Sequence, residues 1–298
     1  MNAAVSLIER VLPATVHLHT EITPAHPSAR LLGTERMGSG VVVDPNGLIL
    51  TVNYVVLGAA KITVSLLDER KFQGELIRHD FASGLALVRV PAEGLAALPL
   101  RRSTDLKLGD ELFIVGSVGD GGARVSNGGV SYLGPFDANW EYVLERAIMT
   151  TAMNPGLGGG PLLDPLGRVV GIVSLNLNEI GRFSLAIPAE YFLDARDAFL
   201  AGTGPLAGTR AWLGVFCYAM NHHVVIAGLL PGGPGETAGL KSGDVVLAVD
   251  GQEVPDRATL YRRLWTHRPG EPVTLKVVRG KSVHTITVAS GDAEEFFA

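Results

Sequence analysis

Residues 153–164 read MNPGLGGGPLLD. With no side chains in the way, the backbone N–H groups of Gly156 and Gly158 can point into one nest and donate to a carbonyl or carboxylate oxygen. The same glycines serve equally well simply to hold a tight turn. No residue in the stretch supplies a nucleophile. Hydroxyls that could stand in lie at Ser131, Thr150, Thr151 and Ser174, with His79 as a nearby base, on what reads as a surface turn. A base beside any of these hydroxyls is not evident. His17 and His19 alternate in TVHLHT and so share one strand face, a spacing that suits a metal pair. A third ligand is missing, so solvent-facing histidines are expected, with no metal and no cofactor. His222 and His223 read as a loop tip, and Cys217 as a small buried residue.

These residues have to be positioned by strands. The chain has 298 residues with 37 glycines and 17 prolines, which punctuate short apolar runs such as GVVVDPNGLILTV (40–52), KITVSLLD (61–68), LALVRV (85–90) and RVVGIVSL (168–175). DPNG at 44–47 is a hairpin turn between two such runs. Helical periodicity is nearly absent before residue 185, so the first part reads as an all-β sandwich or a pair of barrels. PAEYFLDARDAFL (188–200) reads as an amphipathic helix with Pro188 in its first turn. The boundaries expected are a first domain over 1–200, a linker over 201–210, a second domain over 211–292 and a frayed tail over 293–298.

Composition narrows the function. A net charge of −5 with no basic block argues against nucleic acid as a partner. The single cysteine precludes an internal disulfide and fits a reducing compartment. No apolar run approaches the roughly 20 residues that cross a bilayer, and Glu9 with Arg10 interrupts the N-terminal apolar stretch. The expectation is a soluble, cytoplasmic chain with no membrane span. A periplasmic or extracytoplasmic placing requires a signal or anchor outside the given sequence.

From GSG at 38–40 to IP at 187–188 the sequence resembles the trypsin-like module of the HtrA (DegP/DegS-type) serine proteases. The family's histidine motif matches GSGVVVDPNGLILTVNYVV, which puts Tyr54 at the histidine position. Its aspartate motif matches DFASGLALV, with Gly84 at the aspartate. Its nucleophile motif matches NPGLGGGPL, with Gly158 at the serine and Leu157 in place of an asparagine. The resemblance implies a trypsin-like double six-stranded β-barrel. The substitutions imply a triad with no Oγ, no imidazole and no orienting carboxylate, since a phenol with a pKa of about 10 is a poor base at neutral pH. Gly156 and Gly158 are the expected oxyanion-hole-like backbone, and the Tyr54 ring is expected to fill the space two lost side chains leave. The chain is therefore expected not to be an enzyme but a proteolytically inactive member of the family. The alternative is an active serine endopeptidase that uses non-standard residues.

Residues 211–290 resemble a PDZ domain of the HtrA type, through WLGV (212–215), VVIAGLLPGGPGETAGLKSGDVVLAVDGQEV (224–254), ATLYRRLWTHRPG (258–270) and VTLKVVRG (273–280). The resemblance implies a mainly β protein overall, its barrels followed by a small β-rich α+β domain. It also implies that the loop of Trp212, Leu213, Gly214, Val215 and Phe216 offers backbone N–H groups to a ligand's terminal carboxylate, the ligand adding as a strand from Val215 onward. Leu260 and Leu264 either line that groove or face the core. Expected partners are protein or peptide C-termini, an active HtrA relative, or further copies of this chain, whose own end EEFFA is apolar. Residues 1–30 hold no Phe, Tyr or Trp, which argues against the family's aromatic trimer contact. Scaffold, regulator and holdase are the roles considered, with a structural assembly subunit as a further alternative.

Overall fold

The computed structural model describes residues 3–119, 122–154, 158–177, 181–202 and 210–298. The chain is mainly β and forms two compact units, one of Met1–Pro135 with Glu145–Leu206, the other of Phe136–Leu144 with Ala207–Ala298. The second unit thus takes a short piece from the middle of the sequence.

The first unit opens with helix α1 (Ala3–Val11) and holds two closed barrels. Strands β1 (Thr15–Ile22), β2 (Glu35–Asp44), β3 (Leu48–Val52), β4 (Ala59–Ser65), β5 (Lys71–His79) and β6 (Leu85–Arg89) close in the order β1-β2-β3-β6-β5-β4. Between them lie two single-turn helices, α2 (Ala29–Leu32) and α3 (Asn53–Val56). Strands β7 (Glu111–Gly119), β8 (Gly122–Asp137), β9 (Val143–Thr150), β10 (Pro161–Leu163), β11 (Val169–Asn176) and β12 (Ser184–Pro188) close the second barrel, and α4 (Glu190–Ala201) follows. The DPNG turn joins β2 to β3, with the Asp44 carboxylate accepting the Asn46 N–H at 2.9 Å. Strands β3 and β6 are apolar almost throughout, because one face fills the barrel and the other is covered too. Each fully buried Leu, Ile or Val in such a strand contributes about 1.5–3 kcal/mol.

Two expectations are corrected here. Helical pattern is present before residue 185: in α1, Leu7 and Val11 lie four apart and are buried, while Glu9 and Arg10, which break the apolar run on paper, occupy the exposed face. The TVHLHT histidines are not both solvent-facing. His17 is 7% exposed, its Nδ1 3.4 Å from the Ser117 carbonyl of β7, because β1 is covered by the second barrel on its other side. His19 is half-buried, 4.0 Å from Glu35.

The second unit is a sheet in the order β13-β14-β15-β17-β18, formed by β13 (Val215–Met220), β14 (His223–Leu229), β15 (Val245–Val249), β17 (Pro272–Arg279) and β18 (Ser282–Ala289). Strand β16 (Gln252–Glu253) pairs with β15. Helices α5 (Pro234–Thr237) and α6 (Arg257–Leu264) complete it, the latter N-capped by Asp256, whose carboxylate accepts the Thr259 N–H at 2.7 Å. Leu260 and Leu264 face the core, packed with Val224, Ile226 and Leu275. Cys217 is buried in the same cluster. The pair His222–His223 lies at the β13–β14 turn, with Asn221 and His222 at positive φ. The end of the chain does not fray: α7 (Ala293–Phe296) is capped by Asp292, and the rings of Phe296 and Phe297 pack 4.8 and 6.0 Å from Trp212. That apolar burial is what the view of a loose tail left out. Of the expected linker, 203–209 lie outside the described residues.

Candidate functional site

The three positions singled out by sequence, 54, 84 and 158, come together in the first unit. Strand β3 delivers Tyr54 onto α3, and the N–H of Asn53 just before it donates to the Gly84 carbonyl at 2.8 Å. Gly84 closes a turn at φ +78°, its N–H bonded to the Asp80 carbonyl. The nearby Asp80 carboxylate is already used, accepting from the Ala82 and Ser83 N–H groups and the Ser83 hydroxyl at 2.6–3.0 Å. Its bonds stay within its own turn, Asp80 to Ser83.

Tyr54 is pinned at its far end. Its hydroxyl donates to the Ser174 carbonyl of β11 at 2.8 Å. A Cβ built on Gly158 would lie 1.8 Å from Tyr54 Oη and 3.0 Å from Cζ, so the ring occupies the volume that any side chain at 158 needs. Burial pushes the phenol's pKa well above its ordinary value. It stays a protonated hydrogen-bond donor. Residues 158 and 159 beneath it are equally held: the Gly158 carbonyl accepts from Ser39, and Gly159, at φ +97°, donates to the Val173 carbonyl at 2.7 Å. A Cβ on Gly159 would meet the Ser39 carbonyl at 2.1 Å. Gly156 and Leu157 lie outside the described residues.

Arg36, which the sequence reading passed over, braces this corner. It is 6% exposed, and its guanidinium donates to the carbonyls of Tyr54 and Leu57 at 3.0 and 2.9 Å and to Ser28 Oγ at 2.6 Å. Burial lowers its pKa to about 10, so it remains charged at neutral pH. Its only sequence signal is a lone cation just before the GSG motif.

The candidate substitute groups are dispersed. Thr150 and Thr151 both direct their hydroxyls to the Gly129 carbonyl, and the buried Ser131 hydroxyl has no hydrogen-bond partner among the described residues. His79 does not stand on a surface turn. It ends β5, its ring edge-on to Phe81 at 5.1 Å, its buried Nδ1 without a hydrogen bond among the described residues. Burial holds it below the usual histidine pKa, so it is a neutral imidazole with none of those hydroxyls bonded to it.

The second unit holds a different device. In the Trp212–Phe216 stretch, the carbonyls of Leu213 and Gly214 accept from Gly235 and Leu230, each at 2.8 Å. Gly214 takes φ +74°. With its carbonyls tied back, the loop turns its N–H groups outward to one point, and a carboxylate fills that point. Glu141 accepts from Leu213, Gly214 and Val215 at 3.0, 2.8 and 3.1 Å. No sequence motif announces Glu141, which lies 73 residues before Gly214.

Residues 38–172 match the family model described as trypsin-like peptidase domain, and residues 211–289 match the PDZ domain model. A probable periplasmic serine endoprotease, DegP-like, of Halomonas elongata is 35% identical over 90% of this chain and 60% of its own length. The protein of the same name from Hahella chejuensis is 36% identical over 85% of this chain and 56% of its own. The chain thus spans somewhat over half the length of the curated relatives it matches. Among solved structures, the HtrA-type protease AlgW with decapeptide superposes with a TM-score of 0.59 at 27% identity, covering 98% of this chain and 99% of that one. These findings overturn the expectation that the chain is not an enzyme: relatives at 35% and 36% identity over most of it are named serine endoproteases, which points to a protease. The cytoplasmic expectation gains no support either, as the same relatives are named periplasmic. Among the described residues no helix is long and apolar enough to cross a membrane.

Proposed function

As a member of the HtrA-type, DegP-like serine protease family, with a trypsin-like peptidase domain and one PDZ domain, this chain is one that, we propose, handles polypeptides outside the cytoplasm by gripping their C-terminal carboxylates. The observation that carries the reading is the convergence of the Leu213, Gly214 and Val215 N–H groups on a carboxylate. Three N–H donors are what a chain terminus needs once it leaves water, and charge-assisted hydrogen bonds of this kind contribute about 1.5–3 kcal/mol each. Strand β13 starts at Val215, so a ligand held by its terminus continues naturally as an added strand.

Peptide-bond hydrolysis, the activity carried by the relatives' names, is the second part of the reading. Where it occurs in this chain, it rests on groups other than residues 54, 84 and 158, none of which carries an Oγ, an imidazole or a carboxylate. Gly156 and Gly158 remain the proposed oxyanion-facing backbone.

Fluorescent octapeptides with apolar free C-termini, each paired with its C-terminal amide, test the first part by anisotropy. Binding of the acids and not the amides supports it, and indifference to amidation sinks it. Unfolded casein tests the second. Fragments whose appearance is lost in Ser174→Ala or Thr151→Ala identify a substitute hydroxyl, and casein left intact removes hydrolysis from the reading.

A further inference from the structure

The carboxylate in the PDZ loop belongs to the protein itself, and the chain around it takes the pose of a ligand. Trp140 forms an antiparallel bridge with Phe216, and the Asn139 carbonyl accepts from the Cys217 N–H at 2.5 Å. Residues 139–140 therefore pair with the start of β13 by main-chain hydrogen bonding, and Glu141 follows with its carboxylate in the loop. The opposite wall of the same groove is α6. Tyr261 donates its hydroxyl to the Ala138 and Asn139 carbonyls at 3.1 Å, and Arg257 holds the Asp137 carboxylate and carbonyl at 2.5 and 2.7 Å. Main chain on β13, an acidic terminus at the N–H nest, and a helix closing the far side are the three contacts of strand addition by a peptide.

We propose that the segment Asp137–Glu141 is a resident pseudo-ligand of the PDZ groove, its side-chain carboxylate standing in for a peptide's C-terminus, so that an incoming chain terminus binds only by displacing it. The inference rests on the peptide-binding reading above and adds its regulation. A free peptide competes with a group already tethered at the site, so the groove responds to peptide abundance with a threshold that the strength of the internal contact sets. Displacement also frees the tip of the β8–β9 hairpin, Phe136–Leu144, from the unit it belongs to.

Glu141→Ala empties the nest while leaving the hairpin backbone in place. Two measurements on the full chain at pH 6 decide the matter. Amide hydrogen exchange at Leu213, Gly214 and Val215 is expected to quicken at least tenfold in Glu141→Ala, and the apolar-terminated octapeptides are expected to bind that variant at least tenfold more tightly than the parent. Unchanged exchange at those three amides overturns the proposal, whatever the peptides do. So does faster exchange with equal peptide affinity, because a true competitor must weaken binding. Faster exchange with no peptide bound by either protein keeps the internal contact and removes the peptide-binding reading instead. Arg257→Gln, which loosens the same segment from α6, serves as a second variant: a smaller shift in the same direction on both readouts supports the proposal, and a shift in the opposite direction overturns it.

Discussion

Placing a serine at position 158 is the sharpest test of how the first site is packed. Gly158→Ser places a Cβ 1.8 Å from Tyr54 Oη, 3.0 Å from Tyr54 Cζ and 3.0 Å from the Ser174 carbonyl. Residues 158 and 159 cannot retreat, since the Gly158 carbonyl and the Gly159 N–H are both bonded to neighbouring strands, so the ring must move. Overpacking of this kind costs about 1–3 kcal/mol. Breaking the bond from Tyr54 to Ser174 adds about 1 kcal/mol, and a gain of about 0.5 kcal/mol from stiffening the unfolded chain only partly offsets it. The expected loss is about 2–3 kcal/mol, or roughly 4–12 °C in Tm for a unit of this size. In a Tyr54→Ala background the same serine meets no ring and only the 3.0 Å contact with the Ser174 carbonyl remains, so it should cost about 1 kcal/mol or less, leaving a coupling of about 1–2 kcal/mol in the double-mutant cycle. Tyr54→Phe is the finer control, because it removes the 1.8 Å contact and keeps the one at 3.0 Å. All three tryptophans (140, 212 and 265) belong to the second unit, so fluorescence is blind to this change. Urea unfolding should be followed by far-ultraviolet circular dichroism, with amide exchange on β3 and β11 as a local check. Additivity within about 0.5 kcal/mol refutes the claim that the ring fills the volume at 158.

Two further outcomes follow from buried carboxylates of the second unit. Asp244, fully buried, holds Arg279 through both oxygens at 2.7 Å and also accepts the Lys241 N–H. Asp244→Ala should destabilise this unit by about 2–3 kcal/mol, a figure reduced because Arg279 keeps some contact with water, as read by tryptophan fluorescence in urea. Burial alone would raise the Asp244 pKa, yet Arg279 outweighs it and holds the value below the usual one, so this contribution is present above about pH 4 and is lost as pH falls through the lowered value. For Glu141 the sign reverses. Burial raises its pKa to about 7 against the lowering pull of the three backbone N–H groups, so docking is favoured by the proton, is strongest below the ordinary value near 4.5, and weakens as pH rises to about 7. The titratable groups packed around it are Cys217 on β13, Tyr261 and Arg257 on α6, and Asp137 on its own hairpin. The ratio of the parent's apparent Kd to that of Glu141→Ala, in which the titration of the peptide's own terminus cancels, should therefore fall between pH 5 and 8, by at most about two orders of magnitude; a ratio that does not change with pH contradicts it.

The fold was readable because its signals are local. Apolar runs broken by DPNG, and the AGLKSGD turn before β15, mark strand ends by turn chemistry alone, and the barrels follow from such runs. What escaped was set by tertiary contact. His17 has the look of a solvent-facing residue of an alternating strand, yet β1 is covered on both sides. The C-terminal FF pair looks like loose tail until Trp212 is found beneath it. Position 54 was legible as the one aligned with the family's histidine motif, but only the structure shows the phenol reaching across to Ser174. Arg36 and Glu141 left almost no trace, since each works through backbone atoms of residues distant in sequence.

That last point separates the two sites physically. The arrangement at 54, 84 and 158 depends on side chains, and substitution there changes what it can do. The loop at 213–215 depends on backbone N–H groups held by Gly214's positive φ and by two tied carbonyls, so its capacity for an anion survives almost any drift in sequence around it. A site of that kind is controlled not by altering its donors but by supplying an occupant, and a tethered occupant is the most economical because its effective concentration reaches about the millimolar range. The strength of the tether is then a measurable population. If the loop is open for a fraction f of the time, the parent's apparent Kd exceeds that of Glu141→Ala by 1/f. A tenfold ratio means the loop is filled by Glu141 nine times in ten, and a ratio near one means that in solution the loop stands open to any carboxylate that arrives.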